Sequence, residues 1–201
     1  MKDLFIVAHP DDAEAMLGYA IAESTDPYVV VATDGKASTV DEVGDGFVAA
    51  GKRRLESIAG LSKLGVPEDR QFYLDLTDGG LAQAVSELAT KLQELFGDAG
   101  IQRVITTGED GYDGHPDHIA AHMAAASFCT GLRKSGHEVT LFALASDHGG
   151  EVRVTGDQSQ KTAALAAHVS QTVGDDITRW GNVDLYTPLI VDAETYRPSY
   201  K

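Results

Sequence analysis

Residues 4–12 read LFIVAHPDD, five apolar residues followed at once by imidazole and two carboxylates. The run Leu4–Ala8 has nothing polar to face water, which suits a parallel strand buried on both faces. Its abrupt end in His9-Pro10-Asp11-Asp12 places chemistry-bearing residues at the strand's carboxyl end. The same kind of strand recurs as Tyr28–Thr33 (YVVVAT), Gln71–Leu76 (QFYLDL), Arg103–Thr107 (RVITT) and Val139–Ala145 (VTLFALA), all rich in β-branched or aromatic residues.

Between these strands lie stretches with helical spacing: Ala13–Glu23, Phe47–Leu64, Leu81–Phe96 and Pro116–Lys134. Gly65, Gly97 and Gly136 follow three of them, where a glycine at φ > 0 closes a helix without steric cost. Alternation of strand and helix implies right-handed crossovers. The expected fold class is therefore α/β, a mostly parallel sheet with helices on both faces, for which the strand order 3-2-1-4-5 is taken. Further along, residues 147–157 read as a loop with a short strand, Ser159–Gln171 as a last helix, and the remainder, including Tyr186–Val191, as an irregular tail. The polar stretch Ala37–Gly46 reads as a loop, either over the site or plain surface.

Composition bounds the rest. With 201 residues, 43% hydrophobic and 23% charged, one domain spanning residues 1–201 is expected. Asp plus Glu number 31 against 16 Lys plus Arg, and a net charge of -15 opposes nucleic acid as a partner. There is no run of about 18 apolar residues, so no membrane span is expected, and the start does not read as a signal peptide. The single cysteine, Cys129, sits in an apolar stretch and reads as a buried, inert thiol; with neither a signal peptide nor a span expected, the location expected is cytoplasmic. Oligomeric state is not legible here.

The second cluster, Gly111-Tyr112-Asp113-Gly114-His115-Pro116-Asp117-His118, comes after the fourth strand. In a 3-2-1-4-5 sheet, strands one and four are neighbours at the point where winding reverses, and a crevice opens at their carboxyl ends. The two clusters then meet. Imidazole and carboxylate are zinc donors, and the adjacent pair Asp11 and Asp12 lets one bind an ion while the other moves a proton. With no thiolate nearby, Fe2+ and Mn2+ compete with Zn2+. Read alone, His-Pro-Asp-Asp is also a turn whose Asp caps a helix, and His115, His118 and His122 also make a polar helix face. His118 and His122 share a face in the manner of HExxH, but Ile119 stands where that motif has Glu, which leaves His122 beside the site or on the surface.

These motifs resemble those of the LmbE-like, or PIG-L, deacetylase family. Ala8-His9-Pro10-Asp11-Asp12-Ala13-Glu14 is similar to its first motif and His115-Pro116-Asp117-His118 to its second. Thr33-Asp34-Gly35, Arg53-x-x-Glu56 with Leu64-Gly65 later in the same helix, and the stretch from Lys161 through His168-x-Ser170-Gln171 extend the similarity to about residue 171. The resemblance implies a Rossmann-like three-layer fold and one zinc ion, with hydrolysis of an N-acetyl or other acyl group on a small-molecule N-acylated amino-sugar conjugate of glucosamine type. It assigns His9, Asp12 and His118 to the metal, Asp11 to general base, His115 to the oxyanion and Asp117 to orienting His115. It also implies that Arg53 contacts substrate, with Arg54 beside it in competing register. Tyr112 is a further candidate for substrate contact, though it stands three residues before His115 where some relatives place a Tyr two before. His168, Ser170 and Gln171 either close the site wall or fix the last helix. Two other readings stand beside this one: a hydrolase of a non-sugar amide or thiol conjugate, and a metal-free sugar- or nucleotide-binding module. Gly79-Gly80 lacks the spacing of a nucleotide-binding loop.

Overall fold

The computed structural model describes residues 1–37, 46–147, 149–173, 176–180 and 193–199. In chain order the elements are β1 (Asp3–Val7), α1 (Asp12–Glu23), β2 (Pro27–Thr33), α2 (Gly46–Lys63), β3 (Gln71–Leu76) and α3 (Val85–Phe96). Next come β4 (Arg103–Thr106), a single turn α4 (Gly111–Gly114), α5 (Pro116–Lys134), β5 (Thr140–Leu144) and β6 (Val152–Val154). The last are α6 (Gln158–Leu165), β7 (Thr172–Val173), β8 (Asp176–Trp180) and β9 (Glu194–Ser199).

The main sheet runs β3-β2-β1-β4-β5-β9-β6, so the expected 3-2-1-4-5 order stands and the five strands shift at their ends by a single residue at most. All pairings among those five are parallel. Period-two alternation splits each strand between two cores. Leu4, Ile6, Val30 and Val104 face Leu88, Leu92, Phe96, Ala124 and Phe128 of α3 and α5. Phe5, Val7, Val29, Val31 and Ile105 face Leu17, Leu61, Ala164 and Leu165 of α1, α2 and α6. Each such fully buried Leu or Phe contributes about 1.5–3 kcal/mol by leaving water. Cys129 is inside the first core, where burial pushes its thiol up to about 12.

Four expectations need correction. The tail is not wholly irregular, because β9 inserts antiparallel between β5 and β6. Its sequence, ETYRPS, lacks an apolar run, and Pro198 argues against a central strand. Pro198 pairs with Phe142, however, beyond the last β6 partner at Tyr196, so there β9 has a neighbour on one side only. Tyr186–Val191 and most of the loop at Ala37–Gly46 lie outside the described residues.

The helix expected from Leu81 begins at Val85, preceded by a 3-10 turn at Leu81–Gln83, because the Asp117 carboxylate accepts from Gly79 N and Leu81 N and tightens the entry. The last helix ends at Leu165 rather than Gln171, since side chains capture the residues beyond it: Ser170 N donates to Glu56 and His168 meets Glu14. Gly65 and Gly136 have φ of 88° and 87° as expected, but Gly97 is right-handed at −54° and the turn passes to Gly100 at 70°. Among the described residues no helix is long and apolar enough to cross a membrane.

Candidate metal centre

Asp12 opens α1, and its Oδ2 folds back to accept from His9 N at 2.7 Å, locking the turn after β1. The same Oδ2 lies 3.2 Å from His9 Nδ1 and 3.2 Å from His118 Nε2, and those two nitrogens are 3.2 Å apart. All three residues are buried, at 8%, 3% and 4% exposure. Donor atoms about 2.0–2.1 Å from a tetrahedral zinc lie about 3.3 Å from one another, so this triangle fits such an ion. His118 Nδ1 lies 3.0 Å from Gly111 O. A carbonyl can only accept, so Nδ1 carries the proton and Nε2 presents a lone pair to the triangle.

His115 stands beside it. Its ring centroid is 4.9 Å from that of His9 and 4.7 Å from that of His118, and His9, His115 and His118 also form a set able to hold a metal ion. As the residue capping α5, His115 accepts from Asp117 N on Nδ1 at 3.2 Å. The neutral ring therefore carries its proton on Nε2. Asp117 does not orient His115 with its side chain: its oxygens go to Gly79 N at 2.7 Å, Leu81 N at 3.0 Å and His9 Nε2 at 3.4 Å. That expectation is replaced by the geometry.

Asp11 occupies the capping position of α1 without capping it, so the plain-turn reading of His-Pro-Asp-Asp loses its main support. Its Oδ1 is instead held by Arg53 Nη2 at 2.8 Å. Arg53 is 4% exposed and also donates from Nη1 to Gly35 O at 2.8 Å, so of the two arginines it is the one buried beside Asp11, while Arg54 is more exposed. It was expected on substrate, but these two nitrogens are committed within the protein. Gly35 has φ of 67°, and a Cβ there would meet Pro10 at 2.9 Å and Arg53 Nη1 at 3.0 Å, so glycine is required on both counts.

Tyr112 has φ of 68°, and its ring packs against the apolar cluster on the α1 side of the sheet. His122 is buried with Nδ1 2.9 Å from Thr107 O, outside the donor triangle. His168 Nε2 lies 3.2 Å from Glu14 Oε1, both fully buried, and the Ser170 hydroxyl donates to Glu56. These contacts fasten the segment after α6 to α1 and α2.

Electrostatics agree with a site built for positive charge. Burial opposes a charged His9, yet Asp12, with Asp117 and Asp78, holds its pKa well above the usual imidazole value. Burial likewise opposes ionised Asp12, and His118 and His9 nevertheless draw it well below the carboxylate range. Asp78, which sequence reasoning missed, lies 3.2 Å from His9 Nε2 and 3.7 Å from Arg53 Nη1. The available signal was its position, in Thr77-Asp78-Gly79-Gly80 just past the carboxyl end of β3.

Fold and site together define an α/β protein of Rossmann-like topology with two sets of side chains able to hold a metal ion, His9–His115–His118 and His9–Asp78–Asp117, where sheet winding reverses. A family model described as PIG-L, GlcNAc-PI de-N-acetylase, matches residues 4–129, and the chain belongs to that family. Among curated relatives, "1D-myo-inositol 2-acetamido-2-deoxy-alpha-D-glucopyranoside deacetylase 3" of Catenulispora acidiphila is 28% identical over 172 residues, covering 69% of this chain and 47% of that protein. The "Probable N-acetylglucosaminyl-phosphatidylinositol de-N-acetylase" of Schizosaccharomyces pombe is 28% identical over 151 residues, covering 71% and 56%. The chain thus spans about half the length of these two relatives. Among solved structures, N,N'-diacetylchitobiose deacetylase from Pyrococcus horikoshii superposes with a TM-score of 0.76 at 23% identity, over 99% of this chain and 84% of that one, and so shares the fold.

Proposed function

We propose that residues 1–201 act as one catalytic domain, a zinc-dependent hydrolase that removes an N-acetyl group from a glucosamine-type small-molecule conjugate. The observation that carries this is the triangle of His9 Nδ1, Asp12 Oδ2 and His118 Nε2, each pair 3.2 Å apart, with Asp11 next in sequence to one of its members. These three residues are the proposed ligands. When bound, the ion supplies Lewis acidity, polarising the acyl carbonyl and making water a nucleophile near neutral pH. Fe2+ and Mn2+ suit the same N and O donors.

The chain's own groups do the rest. Arg53 fixes Asp11 through Oδ1, leaving Oδ2 to accept the proton of the attacking water. His115, with Nδ1 occupied by Asp117 N, aims an Nε2–H at the acyl oxygen as negative charge develops there. One such donor is worth roughly 3–4 kcal/mol in the transition state. Asp11 then returns the proton to the departing amine. In this reading Arg53 acts on Asp11, and Tyr112, half-buried at the turn before His115, forms a wall of the substrate site. With one buried cysteine the chain suits a reducing compartment, and we assign it to the cytoplasm.

The test pairs metal analysis with a substrate panel. Purified protein is expected to hold about one zinc per chain, to release acetate from N-acetylglucosamine conjugates and to lose that activity on chelation. Full activity without stoichiometric metal overturns the mechanism. Turnover confined to simple acyl amino acids favours the non-sugar amide hydrolase.

A further inference from the structure

His9 is engaged on both ring nitrogens. Nδ1 belongs to the donor triangle, while Nε2 faces Asp78 Oδ1 at 3.2 Å and Asp117 Oδ2 at 3.4 Å. An imidazole that offers a lone pair from Nδ1 carries its proton on Nε2, and a buried N–H needs an acceptor. Two carboxylates are supplied, and both are themselves fixed. Asp117 is 1% exposed and accepts from Gly79 N at 2.7 Å and Leu81 N at 3.0 Å. Asp78 accepts from Ala37 N at 2.9 Å on its other oxygen.

We propose that Asp78 and Asp117 are positioning residues that hold His9 with its proton on Nε2, aim Nδ1 at the metal and raise its donor strength. The inference rests on the metal-centre reading above and goes beyond it, because it gives Asp117 a different partner and gives a role to Asp78. Carboxylates behind a ligating imidazole fix its tautomer and orientation, and their loss typically weakens metal affinity 10- to 100-fold. Asp78 is the better probe, since Asp117 also holds the entry to α3 through two backbone N–H groups.

Two measurements test this. Zinc affinity is read by competition with a chromophoric chelator for wild type and Asp78→Asn, a change that keeps size and removes charge. The expected result is one zinc per chain in both, with affinity about 10- to 100-fold weaker in the variant. A fold change below about two, with the variant's metal-free melting temperature equal to wild type, overturns the proposal and leaves the metal reading intact. The second measurement needs no variant: histidine 15N–1H spectra of zinc-loaded wild type are expected to show His9 protonated on Nε2 and metal-shifted at Nδ1. Zinc on Nε2, or a second zinc per chain accompanied by loss of the Nε2 proton, overturns the proposal by making Asp78 and Asp117 ligands themselves. Failure of wild type to bind zinc at all defeats the metal reading and this inference with it.

Discussion

Asp11 and Asp12 are neighbours with opposite surroundings: one is tied to an arginine, the other lies between two imidazoles. Asp11→Asn is expected to keep zinc near stoichiometric and lower kcat by ~100-fold or more, while Asp12→Ala loses the metal. Metal analysis beside steady-state kinetics checks both, and the reverse pattern means the roles are exchanged. For His115→Ala, kcat is expected to fall by about 100- to 1,000-fold with KM little changed and zinc retained, as for a donor used only in the transition state. Loss of zinc in that variant makes His115 a ligand, for which its place among the three rings leaves room. The two clusters that contain His9, Asp12 and His118 were legible because metal-binding residue types gather where apolar runs stop, whereas the choice of these three within the clusters came from the family resemblance. Asp78 was not, because a lone Asp before two glycines is what any turn displays. Arg53 was half legible: helical spacing puts Arg53 and Arg54 on different faces, and only packing tells which face is covered.

At the scale of elements, α6 and β9 are joined by one buried ion pair. Lys161 Nζ lies 2.6 Å from Glu194 Oε1 and 4.5 Å from the Tyr19 ring centroid. Glu194 also accepts from Tyr19 N at 2.8 Å, Ala20 N at 2.9 Å and the Tyr196 hydroxyl at 2.8 Å, so α1 is tied in as well. Burial, then Glu194, pushes the Tyr196 phenol well above its usual pKa, so it serves as a donor. Lys161→Met strands a buried carboxylate and is expected to cost about 3–5 kcal/mol, whereas Lys161→Met with Glu194→Gln recovers part of that loss. Urea unfolding of the three proteins checks the order. Neither the strand nor the ion pair was readable beforehand, although Lys161 opens a stretch that resembles the family. A six-residue strand with no apolar run carries no periodicity, and a lysine in a helix reads as solvated until its partner, 33 residues on, is placed beside it.

Across the whole molecule, the five parallel strands and their helices were legible from alternation alone, since buried strands and amphipathic helices leave different periods. The far edge was not, because antiparallel pairing there joins residues distant in sequence, Leu141 to Ser199 and Val152 to Tyr196. Metal should matter at this scale too. An ion that binds only the folded chain stabilises it by about 2.7 kcal/mol at 100 times its Kd, equivalent to roughly 5–10 °C in a chain of this size. Thermal unfolding is therefore expected to drop by that amount on chelation and recover when zinc returns. An unchanged midpoint, with zinc bound, means the unfolded chain binds the ion as tightly as the folded one.

The position of β9 has a consequence for how the chain is made. β6 pairs only with β9 within the sheet, and β5 pairs with β9 along its outer edge. As the ribosome releases the polypeptide, β1 to β5 can assemble while residues 194–199 are still inside the exit tunnel. Until those residues emerge, β5 presents an unpaired edge, a template for joining other nascent chains. Translation pausing or proteolytic clipping before residue 194 would therefore show itself as aggregation of a mostly assembled sheet.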